Sequence, residues 1–126
     1  TAAVHGPIAT WDVSTVTDMS ELLRYIPCGY EFNEDIDAWN VGQVTSMESM
    51  FYNATGFNQP LNGWDVGRVT SMSYMFYKAA SFNRSVSAWD VGRVRSMYFM
   101  FAGDWQTPTS FNKPLNAWNV GQVTQT

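Results

Sequence analysis

The feature that most limits what this chain can fold into is a repeat with a fixed period. From Leu61 onward the apolar residues fall as Leu61, Trp64, Val66, Val69, Met72, Met75, Phe76, Ala79 and Phe82, followed by Asn83. The same frame stands upstream as Ile36, Trp39, Val41, Val44, Met47, Met50, Phe51, Ala54, Phe57 and Asn58, and downstream as Val86, Trp89, Val91, Val94, Met97, Met100 and Phe101. Trp39, Trp64 and Trp89 are each 25 residues apart. A unit this short cannot enclose a core alone, so the period predicts coils stacked into an array, each burying its apolar face on its neighbours.

Residues 1–126 read as a single α/β solenoid of ~4.5 coils, starting near 8, 36, 61, 86 and 115. The first coil runs Ile8, Trp11, Val13, Val16, Met19, with Leu22 and Leu23 in place of the later Met-Phe pair. Trp11 to Trp39 is 28 residues, and the surplus lies at 24–31, where Pro27 and Gly29 favour a loop. Trp89 to Trp118 is 29 residues, with an insertion at 103–110 that carries Trp105 and puts Asp104 where the frame has alanine. The fifth coil supplies Leu115, Trp118, Val120 and Val123. The run opens without an initiator Met and stops where the frame expects another core methionine, so a trimmed chain or a segment of a longer array is expected.

Within a coil the apolar period changes. Trp64-Asp65-Val66 alternates as a short strand does, whereas Met72, Met75, Phe76 and Ala79 fall at i, i+3, i+4, i+7, one face of a short helix. Parallel strands near the tryptophans on one side and short helical turns on the other are predicted. Ser46, Ser71 and Ser96 stand where a helix cap accepts a backbone N–H. Gly42, Gly67, Gly92 and Gly121 stand where a sharp turn calls for glycine's conformational freedom. Stacking turns equivalent residues into columns of Trp, Met and Phe. Asn33, Asn58, Asn83 and Asn112 follow the Phe each time and are expected to form a buried amide ladder bridging one coil's backbone to the next.

Only 14% of residues are charged and 16% are aromatic, so hydroxyl and amide side chains must supply much of the wet surface. Net charge is −4, with eight acids against Arg24 in residues 1–48 and three acids against six bases in 49–126. Seven scattered cations do not make the basic stripe that counterion release from a nucleic acid rewards. The lone Cys28 permits no internal disulfide, no Cys/His metal spacing exists, and no apolar run is long enough to span a membrane. No cofactor is implied. His5 lies outside the array and Cys28 has no second histidine to activate it, so catalysis has no frame and the chain reads as a non-enzyme.

The frame L-x-x-W-x-V-x-x-V-T-x-M-x-x-M-F-x-x-A-x-x-F-N resembles the BspA-like, Treponema-type leucine-rich repeats of bacterial surface proteins, in their tryptophan-rich WDVS branch, over residues 8–126. The resemblance implies a right-handed leucine-rich-repeat superhelix and a role in adhesion or protein binding, with no activity. The Trp-Asp pairs at Trp11, Trp64 and Trp89 do not make a WD-repeat propeller, whose blades need about 40 to 45 residues.

Two columns compete as a binding face. Asp12, Asn40, Asp65, Asp90 and Asn119 follow each Trp and point away from the core, a polar rail for a ligand or cation, or else side chains that hydrogen-bond the turn at the following Val-Gly. Asp65 beside Asp90 repels by roughly 1 to 3 kcal/mol, with Arg68 and Arg93 near in sequence to relieve it. The column Glu21, Ser49, Tyr74, Phe99 turns aromatic toward the C-terminus. With Tyr52, Tyr77, Tyr98 and Trp105 it forms an expected aromatic ridge on the helical side, with Arg93 and Arg95 on a neighbouring wall. Aromatics and arginine dominate interface hot spots, so this side of the third and fourth coils is the expected partner face.

Three lesser candidates remain. Thr17, Thr45, Thr70 and Thr124 form a hydroxyl column broken by Arg95, a water-ordering face or plain β-branched packing. Glu31, Glu34, Asp35 and Asp37 crowd the first insertion without calcium-loop spacing. Asn53 and Asn83 head formal glycosylation sequons, Asn83 being committed to the amide ladder. The functional expectation is a non-catalytic protein- or glycan-binding or adhesion module at the cell surface or outside the cell. The alternative is a scaffold or spacer subunit held by neighbouring subunits of an assembly, inside a cell or organelle.

Overall fold

The computed structural model describes residues 7–24 and 29–125. His5 and Cys28 lie outside the described residues. Successive segments lie one over the next, and backbone hydrogen bonds join each to its neighbour. On one wall Thr45, Thr70, Arg95 and Thr124 donate their N–H groups to the carbonyls of Thr17, Thr45, Thr70 and Arg95, at 2.7 to 2.8 Å. Beside them, single-residue parallel bridges link Asp18 to Ser46, Ser46 to Ser71, Ser71 to Ser96 and Ser96 to Gln125.

The local structure differs from the period-based expectation. Among the described residues the only helices are one-turn 3-10 segments, Ile8–Thr10 and Gly29–Glu31, and the bridges stay isolated without growing into strands. Bridging falls at Asp18, Ser46, Ser71, Ser96 and Gln125, not at the tryptophans. The expected helical turns are chains of tight turns. Met50 N–H donates to Met47, Tyr52 to Ser49 and Ala54 to Phe51, each to the third residue back, at 3.0 to 3.2 Å. Between these, Met47, Ser49, Phe51 and Asn53 donate to Ser71, Ser73, Met75 and Tyr77 of the next coil. Every backbone donor of 47–54 is thus used, Glu48 donating to Ser46 Oγ at 3.4 Å.

The turns need a left-handed residue at their third position, as type II turns do. Six non-glycine residues supply it: Glu21, Ser49, Tyr74 and Phe99 in the first turn of each coil, Asn53 and Lys78 in the second. Two four-residue turns in tandem, Met-x-x-Met and Phe-x-x-Ala, point their first and fourth residues inward, which gives the i, i+3, i+4, i+7 spacing without a helix. Ser71 and Ser96 cap nothing, their hydroxyls donating to Glu48 and Gln125 of adjacent coils.

One apolar core runs through the stack, with Ile36, Val44, Met47, Phe51, Leu61, Met72, Phe76, Phe82 and Val94 among its buried members. Phe32, Phe57, Phe82 and Phe111 form a ring column with centroids 5.9 to 6.0 Å apart. Trp64, Trp89 and Trp118 stack at 6.3 to 6.4 Å. Each indole N–H also donates to the previous coil: Trp39 to Ile8, Trp64 to Ile36, Trp89 to Leu61 and Trp118 to Val86, at 2.8 to 2.9 Å. A buried indole N–H needs such a partner, and here the partner fixes the register of one coil on the next.

Candidate functional site: an aromatic ridge on the turn face

Because the first and fourth residues of each tight turn face the core, the second and third lie on its outer side, where Ser49 and Ser73 are nonetheless buried. In the third coil the outer residues are Ser73, Tyr74, Tyr77 and Lys78, and in the fourth Tyr98 and Phe99 lead the same positions. The rings gather into one cluster. Tyr74 meets Tyr77, Tyr98 and Phe99 edge to face at 5.4, 5.7 and 5.7 Å. Tyr52 lies 5.0 Å from Tyr77 and 6.1 Å from Tyr74, and Tyr98 contacts Phe99 at 4.3 Å. Tyr98 and Phe99 remain 43% and 45% exposed, and Tyr52, Tyr74 and Tyr77 are half-buried. Loss of hydration raises the Tyr74 phenol's pKa, and the phenols of Tyr98, Tyr77 and Tyr52 add to the effect. The Tyr74 phenol is therefore neutral at ordinary pH.

Two cations border it. The Arg24 guanidinium lies 3.9 Å from the centre of the Tyr52 ring and pairs with Glu21 at 3.3 Å. Lys78 Nζ lies 5.6 Å from the Tyr77 ring and 2.9 Å from Asp104 Oδ2. That ion pair ties the 103–110 insertion to the third coil. The hydrogen bond from Lys78, then the Thr107 N–H, holds the Asp104 carboxyl below its ordinary pKa, and the bond to Asp104 raises that of Lys78. Asp104 Oδ1 also accepts the N–H groups of Gln106 and Thr107, and Thr109 Oγ1 donates to the Phe101 carbonyl. On this pinned loop Trp105 is 88% exposed.

Of the residues expected to make the ridge, Tyr52, Tyr74, Tyr77, Tyr98 and Phe99 are brought together. Trp105 joins through its loop, by way of Asp104 and Lys78, with no ring contact to the cluster among the described residues. Arg95 stands in the threonine column, its N–H donating to the Thr70 carbonyl and its own carbonyl accepting the Thr124 N–H.

The rail is a different kind of surface. Asn40, Asp65, Asp90 and Asn119 each accept, through Oδ1 at 3.0 Å, the N–H of the glycine two residues on, and Asp12 does the same for Ser14. Gly42, Gly67, Gly92 and Gly121 do not enter the left-handed region; a Cβ there would stand 3.1 Å from that Oδ1. These glycines serve close approach, and the conformational reason expected for them does not apply. Ser14 fills the same place in the first coil and hydrogen-bonds Asp12 with its hydroxyl. Arg68 does not pair with Asp65, its Nη1 donating to Gln43 at 2.7 Å.

The remaining columns are also engaged. Asn33, Asn58 and Asn83 each accept, through Oδ1, the N–H of the next coil's asparagine at 2.8 to 3.0 Å. The amide ladder therefore bridges coils, but it is half-buried to exposed and not buried as expected. Thr45, Thr70 and Thr124 donate their hydroxyls to the carbonyls of the coil before, at 3.2 to 3.3 Å. In the acidic loop Asp35 accepts the Asp37 N–H and Asp37 accepts that of Gly63. Among the described residues no group of three His, Cys, Asp or Glu is placed to hold a metal, and no helix is long and apolar enough to cross a membrane.

Sequence reading missed three features: the left-handed residues, the indole bonds between coils, and Arg24 over Tyr52. Only the second left a signal, in tryptophans recurring beside a position that demands register.

A family model described as a Mycoplasma protein of unknown function, DUF285, matches residues 1–107 and again 64–126. The overlapping matches fit a repeat protein of BspA-like kind. No curated protein and no solved structure matches the chain.

Proposed function

The chain belongs to the DUF285 family, and from that premise we propose that it is a non-catalytic recognition module, displayed at the cell surface or outside the cell, that binds a protein or glycan through the aromatic ridge. On this reading the stack is a right-handed leucine-rich-repeat solenoid of the Treponema type, which serves as a rigid support for the ridge. The observation that carries the proposal is the placement of aromatic side chains where folding least wants them. Tyr74 and Phe99 occupy left-handed positions, with φ of 57° and 52°. A bulky L-residue there costs about 1 to 2 kcal/mol, which glycine avoids. Packing does not account for that cost, since both side chains lie outside the core. Exposed aromatics on a rigid frame suit the centre of an interface, where they bury large area with little loss of side-chain freedom.

The test is capture of the chain by an immobilised panel of glycans and matrix proteins. Capture by one or more members is expected, and replacing Tyr74, Phe99 and Trp105 together by Ser should lower it at least tenfold while the melting transition stays cooperative. Capture that persists undiminished in that variant removes the ridge as the binding face.

A further inference from the structure

We propose that Tyr52 and Tyr77 are set to be joined as an intramolecular dityrosine by a haem peroxidase with hydrogen peroxide, riveting the second coil to the third. The inference rests on the geometry of one pair and is independent of what the ridge binds.

The two ring centroids are 5.0 Å apart, with planes inclined by 35°. The unpaired electron of a phenoxyl occupies p orbitals normal to its ring, so two such radicals couple with their faces turned toward each other, and a near-perpendicular pair must rotate furthest before it couples. That condition disfavours Tyr74 with Tyr77, inclined by 75°, and Tyr74 with Tyr98, inclined by 70°, although both pairs are close. Tyr52 and Tyr74 stand further apart, at 6.1 Å. The backbones that carry Tyr52 and Tyr77 are locked in register, the Asn53 N–H donating to the Tyr77 carbonyl at 2.8 Å. Both rings are half-buried, which leaves them within reach of an oxidant while confining each radical beside the other.

The chemistry balances without a group inside this chain. Each phenol gives up one electron and its phenolic proton and becomes a phenoxyl radical whose unpaired electron is shared with the ring carbons flanking the C–O bond. Two such carbons, one on each ring, form the new C–C bond. The hydrogen on each coupled carbon leaves as a proton and each oxygen regains one, so both phenols are restored. Hydrogen peroxide takes up the two electrons and two protons through the peroxidase and leaves as two waters. The product closes a covalent loop between residues 25 apart in sequence, which restricts the unfolded chain and raises the melting temperature.

The experiment treats the dilute 126-residue chain with a haem peroxidase and hydrogen peroxide, then maps peptides of the monomer by mass spectrometry. Expected is a cross-linked pair containing Tyr52 and Tyr77, lighter than the sum of the two peptides by two hydrogens, with dityrosine fluorescence in the monomer. Tyr52→Phe and Tyr77→Phe should each remove it, and Tyr98→Phe should leave it. Dityrosine found only between copies, none at all, or monomer coupling that survives both Tyr52→Phe and Tyr77→Phe overturns the proposal. The assay contains no binding partner, so its failure leaves the recognition proposal standing, and loss of capture leaves this one standing.

Discussion

Two outward-facing columns rise along the same stack, and their side chains are employed in opposite ways. On the rail, Asp12, Asn40, Asp65, Asp90 and Asn119 all spend a side-chain oxygen on a backbone N–H two residues ahead. On the ridge, Tyr74 and Phe99 occupy left-handed backbone positions at a conformational cost, and their rings touch one another instead of the core. A polar column can look like a ligand site because it is exposed and regular, yet its chemistry is already committed to the turn. The ridge is irregular, turning from Glu21 and Ser49 to Tyr74 and Phe99 along the stack, and irregularity within a strict repeat marks positions that packing leaves open.

Four perturbations probe that contrast, beginning with the one that sets its scale. Trp64→Ala removes a buried ring stacked on Trp89 and leaves the Ile36 carbonyl without its indole donor. A loss of about 3 to 5 kcal/mol is expected in denaturant unfolding, the range for a large core cavity. Next, Asp65→Ala with Asp90→Ala should cost about 0.5 to 1.5 kcal/mol each, the net worth of a hydrogen bond. Asp65→Asn with Asp90→Asn should be close to neutral, because Asn40 and Asn119 make the same bond at the same 3.0 Å. A rail that loses as much with Asn as with Ala would be one whose charge, and not its turn, is selected.

Phe99→Gly makes the complementary change on the ridge. It relieves about 1 to 2 kcal/mol of left-handed strain and forfeits three ring contacts, with Tyr74, Tyr77 and Tyr98, each worth about 0.5 kcal/mol at this exposed position. Unfolding free energy should therefore move by less than about 1 kcal/mol, far below the loss at Trp64. The smallest effect concerns pH. Asp104 has its pKa lowered in the folded chain by Lys78, so its contribution is present above the ordinary carboxylate pKa and is lost as pH falls through the folded value. Lys78 has its pKa raised, so its contribution is full below the ordinary lysine value and fades as pH rises through the folded one. Between those limits the 103–110 loop stays pinned. Protection of the Thr107 amide against exchange, relative to a free amide at the same pH, should fall in acid below about pH 4, and Asp104→Asn should remove most of that dependence.

Much of this architecture was legible before any coordinates. The columns of Trp and Phe, the bridging of coils by the asparagines and the gathering of five ridge aromatics follow from counting positions within the frame, whereas the burial expected of the asparagines does not. Local structure was not legible, for a geometric reason: Met72, Met75, Phe76 and Ala79 have the same spacing in one helix as in two tandem turns. Nothing in Tyr74, Lys78 or Phe99 announces a left-handed backbone, since the residues that normally signal one are glycine and asparagine, and here only Asn53 does so. The glycines after each Trp misled in the other direction, because room for an Asx oxygen and freedom in φ call for the same residue. Arg24 was counted as a lone cation in an acidic half, and only the stacking of coils carries it over Tyr52.

The contrast between the two columns is tested most directly by measuring the two sets of variants side by side, in one capture assay on the glycan and matrix-protein panel, with thermal melting of the same samples. The account predicts a double dissociation. Tyr74→Ser, Phe99→Ser and Trp105→Ser together lose capture and keep the melting temperature within a few degrees, about what 1 kcal/mol shifts in a domain of this size. Asp65→Ala with Asp90→Ala keeps capture and melts lower. The reverse pattern, with capture surviving the aromatic changes and vanishing with the two aspartates, would place recognition on the rail and contradict the account.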